Sequence, residues 1–496
     1  MTITDIYQLF LKHGRITTDS RDCTAGAIFL ALKGKSFNGN AFAAQALQQG
    51  CSYAIIDEPS CATEGDNRYI AVDDCLTTLQ RLANLHRQTL GTTVVAITGT
   101  NGKTTTKELV AAVLSTKYNV LYTEGNLNNH IGVPKTLLRL TDKHNIAVIE
   151  MGANHPGEIK ALVEIAAPNH ALITNVGRAH LEGFGSFEGV KRTKGELYDY
   201  IKASRSDGFI FLNSGDKDLN AMADERNLPN RIYYGTASNG KNSVTGSVTA
   251  CSPFLNFKWQ ASHNGAYAQP YHSCDNTFHE VSTHVIGSYN IYNMLAAAAV
   301  GHFFGVDDKD ISAALANYVP QNNRSQMTVT KSNTLIIDAY NANPTSMAAA
   351  IDNFRDVKAA DKMVILGEMG ELGAVSADEH RKIIERLRRS GFTDIWLVGD
   401  KFKAFANNIS TTDAGETAGK DGKSKTSANG VSTAGIGETA EKDRLTAADA
   451  TARSAFRFFD NVEDVKSAIE TCMPKSKWIL IKGSHSTRLY ELPALL

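Results

Sequence analysis

A short apolar run, Val94-Val95-Ala96-Ile97, leads into Thr98-Gly99-Thr100-Asn101-Gly102-Lys103-Thr104-Thr105-Thr106. After it, Lys107-Glu108-Leu109-Val110-Ala111-Ala112-Val113-Leu114 carries apolar residues at helical spacing. Strand, glycine-bearing turn and helix is the setting in which Gly-Lys-Thr becomes a phosphate cradle. Backbone N–H groups at the helix start point outward, the helix dipole favours anions, and Lys103 adds a mobile positive charge. Thr104 is then placed to put its hydroxyl on a Mg²⁺ shared with nucleotide phosphates. The longer G-x-x-x-x-G-K-[ST] form is broken, because Ile97 stands where its first glycine belongs.

At 496 residues the chain is too long for one core, and two to four domains are expected. A net charge of −1 and 42% hydrophobic residues describe an ordinary soluble globular protein, with no general electrostatic attraction to nucleic acid or to an anionic membrane. The start, Met1-Thr2-Ile3-Thr4-Asp5, lacks the regions of a signal peptide, and the apolar run Met294–Val300 is too short to span a bilayer. Seven cysteines without a C-x-x-C pair point to reduced thiols in a cytosol.

The expected fold class is α/β in three domains. Residues 1–88 read as a small α/β unit, with a helix over Ala41–Gln49 and a strand over Tyr53–Ile56. Residues 89–318 alternate strands (Val94–Ile97, Ala147–Glu150, Ala171–Val176, Phe209–Leu212) with helices, the signature of a parallel sheet covered on both faces; with the phosphate loop in it, this is the expected P-loop ATPase domain. Ser243–Val285 reads as an antiparallel addition, and Ile291–Phe304 as an Ala-rich helix. Residues 319–496 repeat the alternation as a Rossmann-like domain. It is interrupted at about 408–454 by a Gly/Ala/Thr/Ser/Lys/Glu tract with almost nothing apolar to bury, read as a disordered insertion.

Open α/β sheets bind ligands at their strand ends, and four clusters stand there besides the phosphate loop. Glu150 closes one strand, where it can face the loop and hold a metal, or else simply cap a helix. Asn175-Val176-Gly177-Arg178-Ala179-His180 closes the next. A lone histidine is usually structural, but two candidate ligands on neighbouring strand ends raise the interest of both. Lys194 lies on a helix entering the same region, with an exposed charge as the plainer reading. Asp338-Ala339-Tyr340-Asn341-Ala342-Asn343-Pro344 makes a turn that gathers one Asp and two Asn, and Lys482-Gly483-Ser484 closes the last strand. Taken alone, Ser20 and Arg21 read as a turn with a solvated charge.

Together these residues resemble the Mur ligases over the whole chain except the insertion. The short loop Gly99-Thr100-Asn101-Gly102-Lys103-Thr104 is the family's own form and accounts for Ile97. The resemblance implies ATP as co-substrate, held by Gly99, Thr100, Asn101, Gly102, Lys103, Thr104 and Thr105 and by Asn290, Asn293, Arg324 and Asp338. It implies two Mg²⁺ sites drawn from Thr104, Glu150, His180 and a carbamylated Lys194, and catalysis through Lys103, Glu150, His180 and Lys194. Ser20, Arg21, Lys33 and Gly34 resemble a uridine-nucleotide site, which replaces the plain reading of Ser20. Asn126, Asn128 and Asn129 resemble the segment touching the muramoyl peptide.

Tyr340-Asn341-Ala342-Asn343-Pro344-Thr345-Ser346-Met347 resembles the branch that joins D-alanyl-D-alanine to UDP-N-acetylmuramoyl-tripeptide, so Tyr340, Asn341 and Asn343 join the substrate set. The implied reaction passes through an acyl phosphate in peptidoglycan precursor synthesis, in a cytoplasmic monomer that binds neither nucleic acid nor membrane. Tyr289, Asn38-Gly39-Asn40, Glu368 and His485 depart from the family's usual residues. A folylpolyglutamate-type ligase would share the loop and the lysine but not the Asn341–Pro344 turn. A non-catalytic nucleotide-binding scaffold would not need Glu150, His180 and Lys194 together.

Overall fold

The computed structural model describes residues 1–237, 240–262, 277–320, 325–405 and 455–496. Arg324 and the tract at 408–454 lie outside the described residues. The chain forms two compact units, Met1–Gln326 with Glu371–Gly373, and Met327–Gly370 with Ala374–Leu496.

The first unit holds two sheets. Four parallel strands, Ile16–Thr17, Ile28–Leu30, Tyr53–Ile56 and Tyr69–Ala71, lie side by side in chain order. Helix Ile3–His13 packs Ile6, Tyr7 and Phe10 into the core of this sheet, fixed at its start by a capping box between Thr2 and Asp5 and stopped by Gly14 in the left-handed region. The helix expected at Ala41 begins at Ala43, because Asn38 first caps a 3₁₀ turn over Gly39–Phe42. Helix Cys75–Leu90 then leads into the second sheet, with Leu79 and Leu82 in the first core and Ala83 in the second.

The second sheet has nine strands. From one edge they run Val120–Tyr122, Ile146–Glu150, Thr93–Thr98, His170–Ile173, Ile210–Asn213, Arg231–Gly235, Val244–Cys251, Phe254–Ala261 and His279–Ile286. The first seven are mutually parallel. The expected antiparallel addition is present and joins the sheet through a parallel pairing. Val244–Cys251 pairs in parallel with Arg231–Gly235, and Phe254–Ala261 alone runs in reverse, antiparallel to both Val244–Cys251 and His279–Ile286. Strands Thr93–Thr98 and Ile146–Glu150 are buried on both faces, which is why they read as unbroken apolar runs. The neighbouring strands Thr93–Thr98, Ile146–Glu150 and His170–Ile173 bring the phosphate loop, Glu150 and Thr174–His180 to one end of the sheet.

In the second unit, strands Thr334–Asp338, Trp478–Lys482, Lys362–Gly367, Asp394–Val398 and Ala455–Phe459 lie parallel in that order, with Gln326–Val329 at the Thr334 edge. The strand latest in sequence is inserted between two early ones, which sets Asp338 and Lys482 in register at a topological switch point.

Candidate functional site

The loop between Thr93–Thr98 and helix Lys103–Leu114 makes two left-handed turns, with Gly99 at φ 142° and Gly102 at φ 78°. Both regions favour glycine. Here a β-carbon is also excluded by neighbours, Thr174 Oγ1 at Gly99 and Asn293 Oδ1 at Gly102. The end of the adjoining strand grips the loop. Thr174 Oγ1 and Asn175 Nδ2 donate to Asn101 O at 2.6 and 3.0 Å, and Asn101 N donates to Asn175 Oδ1 at 3.0 Å. Gly177 N donates to Thr100 Oγ1 at 2.9 Å. In the sequence Asn175 and Gly177 stand in the cluster that closes this strand, but no local signal marks them, or Thr174, as the clamp of the loop.

Lys103 folds back over the loop, its Nζ donating to Gly99 O at 2.9 Å and Thr100 O at 3.0 Å. Thr104 is buried and its Oγ1 donates to Glu150 Oε1 at 3.2 Å. Asn128 Nδ2 donates to the same oxygen at 2.8 Å. Glu150 is 1% exposed, and its other oxygen, Oε2, is buried with no hydrogen-bond partner. Thr105 is half-buried beside them.

His180 and Lys194 meet at Phe184. The His180 ring stands edge-on to that phenyl at 6.3 Å between centroids, and Lys194 Nζ lies 5.6 Å from its centre. His180 itself sits at φ 51°, a strained conformation for a side chain of its size, and its Nδ1 meets the carboxylate of Glu371. Burial holds the His180 imidazolium below its ordinary range; Glu371 opposes this and the Lys103 ammonium adds to it. Lys194 is 2% exposed on helix Phe187–Ser204. Burial first, and then the charge of Lys103, push its ammonium well below the ordinary lysine range, against Glu158, Glu196 and Glu150. Lys103, Glu150, His180 and Lys194 thus share one electrostatic neighbourhood.

Asn290 and Asn293 are buried and hydrogen-bonded inward. Asn293 Nδ2 donates to Asn290 Oδ1 at 2.6 Å, Asn290 Nδ2 donates to Ile286 O, and Thr106 Oγ1 donates to Asn293 Oδ1 at 3.1 Å. They brace the loop from behind. In the first sheet, Ser20 is half-buried, and Arg21 is exposed and holds Asp19 at 2.8 Å, lowering that carboxyl to about 2. Lys33 bridges Asp57 and Glu58 at 3.0 and 2.9 Å, and Gly34 lies against the ring of Phe37. Asn126 is exposed, and Asn129 Oδ1 accepts from Ile131 N and Gly132 N, turning the chain into helix Gly132–Leu137.

In the second unit, Asp338 pairs with the buried Lys482 at 2.6 Å, and Lys482 Nζ also donates to Asn341 O at 3.2 Å. Asn343 closes a capping box with Ser346 at the start of helix Pro344–Asp356, so the Asp338–Pro344 turn is held largely from within. Asn341 is exposed, and Tyr340 packs edge-on to His485.

A glycine-bounded loop at the end of a parallel strand, with a threonine hydroxyl and a buried carboxylate facing each other beside it, defines a P-loop nucleotide-binding protein of the α/β class. The chain belongs to the Mur ligase family. The family's catalytic-domain model matches residues 13–87, its middle-domain model 97–301, and its glutamate ligase domain model 323–485. The chain is 36% identical over 380 residues to the UDP-N-acetylmuramoyl-tripeptide–D-alanyl-D-alanine ligase of Bacillus subtilis, covering 76% of this chain and 78% of the relative. It is likewise 36% identical over 395 residues to the Escherichia coli enzyme of the same name, covering 79% and 82%. A crystal structure of MurF from Acinetobacter baumannii superposes with a TM-score of 0.77 at 29% identity, covering 97% of this chain and 92% of that one.

The family implies a divalent cation, and the residues fit one. Among the described residues no three His, Cys, Asp or Glu side chains gather into a cage. Mg²⁺ does not need one, since it keeps water and phosphate oxygens and takes only one or two protein ligands. The unpartnered Glu150 Oε2, buried beside Thr104 Oγ1, is a donor set of that kind. Among the described residues no helix is long and apolar enough to cross a membrane.

Proposed function

We propose that this chain is an ATP-dependent carboxylate–amine ligase that joins D-alanyl-D-alanine to UDP-N-acetylmuramoyl-tripeptide, giving the pentapeptide precursor of peptidoglycan, ADP and phosphate in the cytoplasm. The division is taken as 1–88 for the nucleotide-peptide, 89–318 for ATP and 319–496 for the C-terminal ligase domain. The observation that carries the reading is the Thr104–Glu150 pair with its buried, unpartnered oxygen beside the phosphate loop. Relatives of this name at 36% identity support the choice of substrates.

A carboxylate is resonance-stabilised and its oxygen is a poor leaving group, so joining it to an amine in water needs activation. The tripeptide's terminal carboxylate attacks the γ-phosphorus of ATP, forming an acyl phosphate and releasing ADP. The dipeptide amine then attacks the acyl carbon, phosphate leaves with the C–O electron pair, and the amine loses its proton. The chain's part is positioning and charge neutralisation. Lys103 turns from the loop carbonyls to the β- and γ-phosphates, and the loop amides take the remaining phosphate oxygens. Thr104 and Glu150, and at a second place His180 and Lys194, would hold Mg²⁺, which when bound would supply charge neutralisation where oxygens approach the phosphorus. Burial favours the neutral amine of Lys194, which adds CO₂ with loss of a proton and becomes a carbamate anion. An ammonium there would repel a metal, whereas a carbamate can bind one.

Phosphate release measured over a panel of UDP-muramoyl peptides tests this reading. Release that requires both a nucleotide-tripeptide and D-alanyl-D-alanine is expected. Vigorous ATP hydrolysis with neither present would overturn it.

A further inference from the structure

Lys107, in the first turns of the phosphate-loop helix, is a fully buried lysine that none of the roles above uses. Its Nζ donates to Thr123 O at 2.8 Å, pairs with Glu108 Oε1 at 3.3 Å and lies 5.5 Å from the centre of the Tyr122 ring. Glu108 is held in turn by Tyr318, whose hydroxyl donates to Oε2 at 2.6 Å. Burying an ammonium is unfavourable unless it is paired and hydrogen-bonded, and an apolar side chain of similar volume often serves stability as well or better. Stability alone therefore does not account for a cation here, whereas fixing the place of a particular carbonyl does.

That carbonyl belongs to the residue at which the chain leaves strand Val120–Tyr122. Thr123 N donates to Val148 O at 3.1 Å, and Thr123 Oγ1 accepts from Glu150 N at 3.0 Å. From this point runs the segment that carries Asn126, Asn128 and Asn129. It is pinned a second time at Asn128, whose Nδ2 reaches Glu150 Oε1 and whose carbonyl accepts from Gly152 N at 2.8 Å. The segment is thus tied to strand Ile146–Glu150 by Thr123 and Asn128. Of the described side chains that bond to Thr123, only Lys107 comes from the helix that carries the phosphate loop.

We propose that Lys107 is a positioning residue for the nucleotide-peptide. It fixes the origin of the 123–131 segment relative to the phosphate-loop helix, and so sets the reach between the bound peptide and the nucleotide. The inference rests on the reading that this segment contacts the UDP-muramoyl peptide. Lys107 touches no reacting group itself, and its effect passes through Thr123.

Two full-length variants test it. Lys107→Met removes the charge at nearly constant length, and Lys107→Met/Glu108→Gln also removes the carboxylate that the first change strands. Amide hydrogen exchange without ligands is expected to quicken in 123–131 and to stay unchanged in helix Lys103–Leu114. Calorimetric titration without ATP is expected to show roughly tenfold weaker binding of UDP-N-acetylmuramoyl-tripeptide, the effect of losing one charge-assisted hydrogen bond. KM for that substrate should rise in step, kcat should change less, ADP affinity should hold, and Lys107→Arg should recover part of the loss. Unchanged exchange in 123–131, or exchange that quickens evenly along with lost ADP binding, would overturn the proposal. Exchange needs no substrate and decides the positioning by itself. Wild-type protein that failed to bind the nucleotide-tripeptide would instead overturn the functional reading beneath it.

Discussion

Asn293 stands directly behind Gly102: a β-carbon on that glycine would lie 2.7 Å from Asn293 Oδ1, the oxygen that accepts from Thr106 Oγ1. The loop's second turn therefore rests on a carboxamide from helix Ile291–Phe303, more than 180 residues away in sequence. Gly102→Ala should meet two penalties, a left-handed φ of 78° and displacement of Asn293. The first alone costs about 1 kcal/mol. The expected result is a loss of ADP affinity of tenfold or more by titration, with a smaller fall in the thermal midpoint because the two strands beside the loop are untouched.

Glu150→Gln separates the chemistry from the fold. The amide oxygen can still accept from Thr104 Oγ1 and Asn128 Nδ2, so the local geometry should survive. The buried, unpartnered Oε2 becomes an uncharged amide nitrogen. Metal-free protein should therefore melt no lower than wild type, while phosphate release falls by about 100-fold or more, as for loss of a group that stabilises transition-state charge. A marked drop in the melting temperature together with normal turnover would place Glu150 among structural residues.

Lys194→Ala removes a buried amine whose charged form is already disfavoured by burial. Folding should be little affected, as judged by calorimetry, and ADP should bind as before. Turnover should vanish, and a short-chain carboxylic acid should restore part of it by occupying the space of the lost carbamate. Full activity in the variant would remove Lys194 from the mechanism.

The legible parts of this chain are those where one local rule suffices. Val94–Ile97 followed by Gly99–Lys103 could be read as strand and phosphate loop because burial on both faces and left-handed turns each leave a mark on residue type. Glu150 was legible because it closes a wholly apolar strand. What was not legible depends on the order of strands in the sheet. That Thr174 and Asn175 would grip Asn101 follows from His170–Ile173 pairing with Thr93–Thr98, and nothing local to either segment announces it. Nothing in the helical spacing of Lys107–Leu114 announces that Lys107 is buried against Thr123, which a neighbouring strand brings beneath it. Asn343, which the resemblance places in the substrate set, also caps a helix, a use of asparagine that a strand-end turn does not reveal.

His170 carries a prediction independent of the site. It opens its strand with its ring among Phe209, Phe303 and Phe304, and its Nδ1 accepts from Phe209 N at 3.2 Å. Burial lowers the imidazolium from an ordinary 6.5 to about 4. Between those values the unfolded chain binds a proton that the folded site refuses, so the unfolded state holds more protons and stability rises with pH. The contribution is complete above pH 6.5 and is lost as the pH falls toward 4. In His170→Asn, Oδ1 can replace Nδ1 as acceptor for Phe209 N, but nothing there titrates in this range. The variant should be less stable at pH 7.5 through lost ring packing, and the gap to wild type in urea unfolding should narrow steadily between pH 6.5 and 4. A gap that stayed constant with pH would show that His170 takes up its proton as readily in the folded protein as in the unfolded one.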